Sequence, residues 1–275
     1  MPMLDAVGTV DKLGPGVSSW SPGDRVVGHG DLRSSGAAAQ YAIYEAEVLA
    51  AIPSSVSAVQ AAALPCAAMT AYQAIHRRLH VKAGEHVLVT GANGGVGGFA
   101  VQLAHRAGAH VIALASSAHQ RVKDLGAQSV INYRDPNARE HVLQAAPEGI
   151  SAIVDTVSAE NATANLSLLA HGGGIACIAG RADLDTLPAF GVAPSIHEIA
   201  LGAAYSNGLP RHRRDLSTML GELLAMVADG TLDPCLGAII NPQQLGRSLA
   251  EIREGHTQGK IVMDASLLGE TSTAG

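Results

Sequence analysis

The spacing of apolar residues changes twice along the chain. Up to about residue 53, short apolar stretches are cut by turn residues, Gly14-Pro15-Gly16 and Ser21-Pro22-Gly23-Asp24 among them. This predicts an antiparallel β region, with "AAAQYAIYEAEVLAAIP" adding one or two further strands. From about residue 57, "SAVQAAALPCAAMTAYQAIHRRL" is rich in alanine and predicts helix, broken or kinked at Pro65. From His86 onward, apolar runs of strand length alternate with helical stretches. Strands are predicted at His86 to Thr90, His110 to Ala115, "QSVINY", "ISAIVDTV" and "GIACIAG", the last following Gly172-Gly173-Gly174. Between them fall helices at Val96 to Ala107, "SAHQRVKDLG", 137 to 146 and 159 to 170, the first two closed by Gly108 and Gly126. Such alternation predicts an α/β fold, a doubly wound parallel sheet with helices on both faces. After Arg181 the pattern weakens. It suggests a sheet-edge strand over Ile196 to Ala204, an amphipathic helix in "RDLSTMLGELLAMVADG", and a tail of strand, helix and strand returning to the N-terminal β region.

The bulk numbers fit that reading and narrow the function. A chain of 275 residues can bury a substantial core, and 47% hydrophobic against 15% charged residues argues against disorder. With aromatic residues at only 3%, small aliphatic side chains must fill the interior. A net charge of -6 without a long basic run argues against a nucleic-acid partner. The start is not basic enough for a signal peptide, and no apolar run is long enough to span a bilayer. A soluble cytoplasmic protein is therefore the expectation. The three cysteines, Cys66, Cys177 and Cys235, are far apart and include no C-x-x-C pair, so neither a disulfide scaffold nor a cysteine-rich zinc lobe is indicated.

The chemistry centres on "HVLVTGANGGVGGFAVQLA", His86 to Ala104. A glycine-rich turn between a buried strand and a helix lets the backbone approach a pyrophosphate, while the helix start offers free N–H donors. The motif alone is weak evidence, but the flanking strand, helix and further βα units supply the context it requires. It can be spelled two ways. T-G-x-x-x-G-x-G selects Thr90, Gly91, Gly95 and Gly97, as in short-chain dehydrogenases; [GA]-x-G-x-x-G selects Ala92, Gly94 and Gly97, as in medium-chain reductases. The first family starts with its nucleotide fold, whereas about 85 residues precede this loop. It also requires Tyr-x-x-x-Lys, a pair that lets the tyrosine transfer a proton. Four residues after Tyr41, Tyr44, Tyr72, Tyr133 and Tyr205 stand Glu45, Val48, His76, Asn137 and Leu209, never a lysine.

The flanks agree with the second spelling. "PGDRVVG", "AAALPCAAMTAYQAI", "AGEHVLVTGANGGVGGFAVQLAHRAGAHVIA", "DLGAQSVINYRD", "IVDTV" and "HTQGKIVMD", in this order, resemble landmarks of the medium-chain dehydrogenase/reductase superfamily, in its zinc-independent quinone-oxidoreductase (zeta-crystallin-like) branch. The resemblance implies a Rossmann sheet inserted into a smaller GroES-like β lobe completed by both chain ends, with the site in the cleft. The implied limits are 1–70 for the lobe, 71–231 for the nucleotide domain and 232–275 for the return. It also implies that the lobe lacks its opening strands, which would expose strand edges, and that a homodimer forms through the edge of the nucleotide sheet.

The expected cofactor-binding set begins with the loop itself: Ala92, Asn93, Gly94, Gly95, Val96 and Gly97. NAD-preferring folds usually carry an acid about twenty residues past the glycines, on the ribose 2′-hydroxyl. Here Ala115, Ser116 and Ser117 stand there, with Arg121 and Lys123 following. Absence of the acid removes repulsion, and cations can pair with a 2′-phosphate. By resemblance Tyr133 faces that phosphate. NADPH is therefore favoured over NADH. Alone, Arg121 and Lys123 also fit a solvated helix face. By resemblance, Thr70, Val157, Ala179, Gly180 and Gly259-Lys260 line the nicotinamide half of the cleft; a buried hydroxyl and a solvated lysine are the plainer readings of Thr70 and Lys260.

Cys66 has the placement of a ligand cysteine in zinc-dependent relatives, but a catalytic zinc needs three protein ligands. The other two lie in relatives upstream of residues resembling Ala6 to Val10. His29 reads as a turn residue, and Cys66 as a small buried apolar one. The expectation is a zinc-free, NADPH-dependent reductase acting on a small electrophile, a quinone or an α,β-unsaturated carbonyl, with no catalytic acid assigned. Two alternatives stay open: an alcohol or aldehyde dehydrogenase of the zinc type, and a cofactor-binding protein without turnover.

Overall fold

The computed structural model describes residues 3–34, 36–206, 208–255 and 257–267. The chain forms two compact units, one of residues 1–66 with 202–275, the other of residues 67–201. The sequence reading set the corresponding limits at 70 and 231.

In the first unit, β1 (Asp5–Thr9), β2 (Arg25–His29) and β3 (Leu49–Ala51) make an antiparallel sheet in the order β1-β2-β3. The turns the sequence marked sit between β1 and β2, where Gly23 N–H donates to the Val10 carbonyl at 2.9 Å. The stretch expected to give one or two strands gives only β3, preceded by a 3-10 turn at Ala46–Val48. Helix α1 (Ala58–Ala62) starts at a capping box: Ser57 Oγ accepts from the Gln60 N–H (3.2 Å) and Gln60 Oε1 from the Ser57 N–H (2.9 Å). Helix α2 (Pro65–Tyr72) opens with Pro65, so the proline begins a helix where the missing N–H costs nothing, and a π-helical turn, Gln73–Arg78, continues it.

The second unit is built on six parallel strands, β4 (His86–Thr90), β5 (His110–Leu114), β6 (Ser129–Ile131), β7 (Ile150–Asp155), β8 (Leu169–Cys177) and β9 (Ser195–Glu198), in the order β6-β5-β4-β7-β8-β9. They are linked through α3 (Gly95–Arg106), α4 (His119–Asp124), α5 (Ala138–Ala145) and α6 (Ala159–Asn165). Alternate strand residues serve opposite faces. Leu88, Ile112, Ile153 and Ile175 pack with Val142 of α5 and with Ala162 of α6. On the other face α3 lies against β4 and β5 and buries Phe99 and Leu103 completely.

The sheet departs from the sequence pattern at three places. Helix α6 ends at Asn165 rather than 170, because Leu169 already pairs with Ile150 as the start of β8. The triple glycine lies within that strand, not before it; Gly174 is the partner of both Ala152 and Ser195. The edge strand stops at Glu198, and Ala203–Ser206 is a short helix, α7, in which Tyr205 is buried.

The chain then re-enters the first unit. Helix α8 (Pro210–Ala228) buries Leu216, Met219, Leu220, Leu223 and Leu224. Their three-and-four spacing makes one face, and the helix packs on β3 and the 3-10 turn before it. Arg214 Nη1 reaches Glu47 Oε1 at 3.1 Å and Arg213 Nε reaches Glu45 Oε2 at 2.6 Å, tying the helix to the same segment. The tail is strand, helix, strand as expected: β10 (Leu236–Ile240), α9 (Leu245–Arg253), β11 (Lys260–Met263). Among the described residues its strands pair only with each other, in parallel, and not with β1 to β3. His256 of the "HTQGKIVMD" landmark lies outside the described residues. No helix among the described residues is long and apolar enough to cross a membrane.

Candidate functional site

In the six-stranded sheet, β5 and β7 flank β4 on opposite sides, so the chain reverses its direction of winding at β4. Ligands of open α/β sheets bind at the carboxyl ends of the strands at such a reversal. The loop after β4 is the glycine turn. Gly91 has φ +62°, and a Cβ there would collide with Thr156 Oγ1 in the loop after β7. That hydroxyl donates to the Thr90 carbonyl (2.8 Å), and Thr90 Oγ1 accepts from the Thr156 N–H (3.1 Å), so the two loops are locked together. The turn closes through the Gly94 N–H on the Gly91 carbonyl (2.9 Å), and Ala92 N–H donates to the Leu114 carbonyl of β5 (3.2 Å). At Gly97 a Cβ would collide with the Gly91 carbonyl oxygen and stand 2.8 Å from Ala92 Cα. Helix and loop touch backbone to backbone there, which only glycine permits.

Gly94 caps α3 without a side-chain hydrogen bond. The first intrahelical bond runs from Gly98 N–H to the Gly94 carbonyl (3.0 Å). The N–H groups of the first turn, Gly95 to Gly97, thus have no partner within the helix and point from its positive end.

Beside the loop stands a cation. Arg121 on α4 reaches back across the β5 end, its Nη1 donating to Asn93 Oδ1 (3.1 Å) and to the Asn93 carbonyl (3.3 Å). Its Nη2 is buried with no hydrogen-bond partner among the described residues. A buried donor left open costs about 1–3 kcal/mol, more when charged, and an anionic ligand would satisfy it. Arg121 is therefore not a solvated surface residue, whereas Lys123 and Ser117 are exposed. Ser116 makes a hydrogen bond with Tyr133, which holds the phenol below its usual range, and the Arg134 guanidinium, 5.7 Å from the ring, adds to the pull. Tyr133 itself is about half exposed. Glycine loop, free helix-start donors and an under-satisfied guanidinium together fit a dinucleotide phosphate ligand.

Across the sheet's carboxyl edge the order of loops brings Tyr133, Ser116, the glycine turn, Val157 and Ala179-Gly180 into one row, following β6, β5, β4, β7 and β8. Thr70 is buried in α2. Lys260 is the first residue of β11, with its N–H on the Cys235 carbonyl (2.7 Å), and belongs to the other compact unit.

The sequence reading passed over Asp155, the last residue of β7. It is 1% exposed, its Oδ1 accepts from the N–H groups of Val157 (3.0 Å) and Ser158 (3.4 Å), and its Oδ2 accepts from Asn165 Nδ2 (3.1 Å). Asn165 also donates to Asn161 Oδ1 at 3.0 Å. The carboxylate thus fixes the backbone that presents Val157. The signal was available: a lone acid ends an otherwise apolar strand in "IVDTV".

In the first unit, His29 is not a turn residue. It ends β2, is almost fully buried, and its Nδ1 donates to Asp5 Oδ1 (2.7 Å). Asp5 Oδ2 accepts from the N–H of Cys66 (3.1 Å), and the Tyr205 hydroxyl donates to the His29 carbonyl. Cys66 is partly exposed rather than buried. Among the described residues no three His, Cys, Asp or Glu side chains are grouped as metal ligands.

A parallel sheet wound about a glycine turn at its reversal, paired with a small antiparallel lobe, defines the Rossmann-plus-GroES architecture. Comparison with known proteins agrees. Residues 1–54 match the family described as alcohol dehydrogenase GroES-like domain, and residues 95–223 the one described as zinc-binding dehydrogenase. The quinone oxidoreductase of Sus scrofa is 30% identical over 268 residues, covering 95% of this chain and 79% of that protein. Among solved structures, a mycobacterial protein complexed with NADPH superposes with a TM-score of 0.84 at 26% identity, covering 95% of this chain and 81% of that one. An NAD-dependent alcohol dehydrogenase superposes with a TM-score of 0.80 at 28% identity, covering 95% and 82%. The chain belongs to the medium-chain dehydrogenase/reductase superfamily, in its quinone-oxidoreductase-like branch, and is an oxidoreductase of a family that binds nicotinamide cofactors.

Proposed function

We propose that the chain is an NADPH-dependent reductase that delivers hydride to a quinone or an α,β-unsaturated carbonyl without zinc. The observation that carries the cofactor choice is Arg121, whose guanidinium is bonded to the glycine loop through Nη1 and has its Nη2 buried without a partner among the described residues. No acid stands at the end of β5 to repel a 2′-phosphate, and Ser116 and Tyr133 add hydroxyl donors to the same end of the row. When bound, the reduced nicotinamide supplies the hydride. The first-turn N–H groups of α3 would hold the diphosphate and Arg121 would pair with the 2′-phosphate, while Asp155 fixes the Val157 loop. Thr70, Ala179 and Gly180 are the residues we assign to the nicotinamide end. The rate enhancement then comes mainly from positioning.

The zinc-free part of this reading is supported by the donors themselves. Asp5 engages both His29 and the Cys66 backbone, a structural use of the residues nearest to a ligand set. Strand β9, one of the two edges of the sheet, is the strand we assign to a homodimer contact. Fluorescence titration with NADPH and NADH, followed by cofactor oxidation with a panel of quinones and enones, tests the proposal. Tight NADPH binding with turnover of at least one acceptor supports it; equal affinity for NADH removes the cofactor assignment.

A further inference from the structure

We propose that His86 and His110 form a binding site for a divalent transition-metal ion at the amino-terminal edge of the six-stranded sheet, opposite to the cofactor loops. The two residues are the first of β4 and β5 and are direct partners in the parallel register. Registered partners in a pleated sheet point to the same face. Leu88 and Ile112 follow on that face and are in the core, so the histidines form the solvent margin of the same row. His110 is exposed and His86 partly so, leaving room for an ion and its waters.

The ring geometry suits a shared ion. The imidazole centroids are 5.3 Å apart, with the planes inclined by 31°. A ligating nitrogen lies about 2.0–2.1 Å from zinc, which puts each ring centroid roughly 3.2 Å from the ion. At a tetrahedral angle, two such rings have centroids about 5.2 Å apart. No hydrogen bond to another described residue occupies either ring, so neither nitrogen must first be released. Two rigid strands fix the spacing, which is the preorganisation that a surface site needs. Imidazole donors select zinc, copper or nickel over magnesium or calcium. Two side chains leave the remaining positions to water, so the site is an open one. Five strand residues, about 13–16 Å of chain, separate it from the glycine turn, so the ion takes no part in cofactor binding.

The test is a calorimetric titration of the whole chain with Ni2+, using the unmodified protein, His86→Ala and His110→Ala. We expect one ion bound to the pair in the unmodified protein and an affinity at least tenfold lower in each variant. Thermal unfolding gives the second readout: Ni2+ raises the midpoint of the unmodified protein and raises it less in either variant, since an ion that binds only the folded pair stabilises by mass action. Unchanged NADPH binding in the variants shows that they are folded. Equal Ni2+ affinity in all three proteins, or no Ni2+ binding to the unmodified chain, overturns the site and leaves the pair as a ring contact only.

Discussion

Arg121 Nη1 lies 3.1 Å from Asn93 Oδ1, so a cation carried on α4 is bonded directly to the glycine turn between β4 and α3. Under the proposed function, loop conformation and phosphate recognition would be coupled in one contact. Replacing the guanidinium removes the cation and loosens Asn93 at the same time. We expect Arg121→Ala to weaken NADPH by roughly tenfold to a hundredfold, the range of about 1.5–3 kcal/mol for hydrogen bonds to a charged group. NADH, lacking the 2′-phosphate, should lose much less. Parallel fluorescence titrations of the two cofactors read the difference; an equal loss for both would assign Arg121 to loop support alone.

Gly97 has backbone on the far side of its missing side chain, the Gly91 carbonyl and Ala92 Cα. Backbone cannot rotate aside as a side chain can. Gly97→Ala should therefore displace the first turn of α3 from the loop, abolish measurable cofactor binding and cost roughly 1–3 kcal/mol, the scale of an overpacked interior. Chemical denaturation and cofactor titration on the same preparation check both parts. A variant with unaltered affinity would show that the contact has slack.

Asp155 satisfies three donors from a nearly inaccessible position. Asp155→Ala leaves the Val157 and Ser158 N–H groups and the Asn165 amide without their acceptor, and we expect about 2–4 kcal/mol of lost stability. Asp155→Asn keeps an acceptor oxygen and should lose less. The order of the two denaturation midpoints is the observable, and a reversed order would refute the proposed role of the carboxylate.

Burial pushes the phenols of Tyr44 and Tyr205 well above their ordinary range, with nearby acids adding to the effect, Asp5 beside Tyr44 and Glu45 first for Tyr205. Both phenols are protonated in folded and unfolded chains below the ordinary range, so they give no pH dependence there. As pH climbs past about 10, the unfolded chain ionises while the fold retains its protons. Stability must fall over that window. A thermal-unfolding series at rising alkaline pH should show the decline, and Tyr44→Phe with Tyr205→Phe should flatten it.

Much of this was legible in the sequence, for a local reason. From His86 to Asp155 every strand is short and apolar, and Gly108 and Gly126, which end the first two helices, have positive φ. Local pattern therefore reports the sheet and the place of the glycine turn. It could not report partners chosen in three dimensions. The bond from Arg121 to Asn93 joins residues 28 apart, and that from Asn165 to Asp155 joins a helix to the strand before it. The triple glycine reads as a turn, yet pairing with β7 and β9 draws it into β8. The tail strands read correctly as elements, but their parallel pairing with each other depends on a helix between them rather than on their own composition. His29 looked like punctuation between glycines because its partner, Asp5, is a distant strand residue.

The most direct test of the account is the rate of NADPH oxidation by the purified chain with quinone and enone acceptors, measured beside NADH. The expected result is acceptor-dependent oxidation of NADPH, faster than that of NADH, and lowered by Arg121→Ala chiefly through a higher KM for NADPH. NADPH that binds yet is not oxidised by any acceptor, or a preference for NADH, would contradict it.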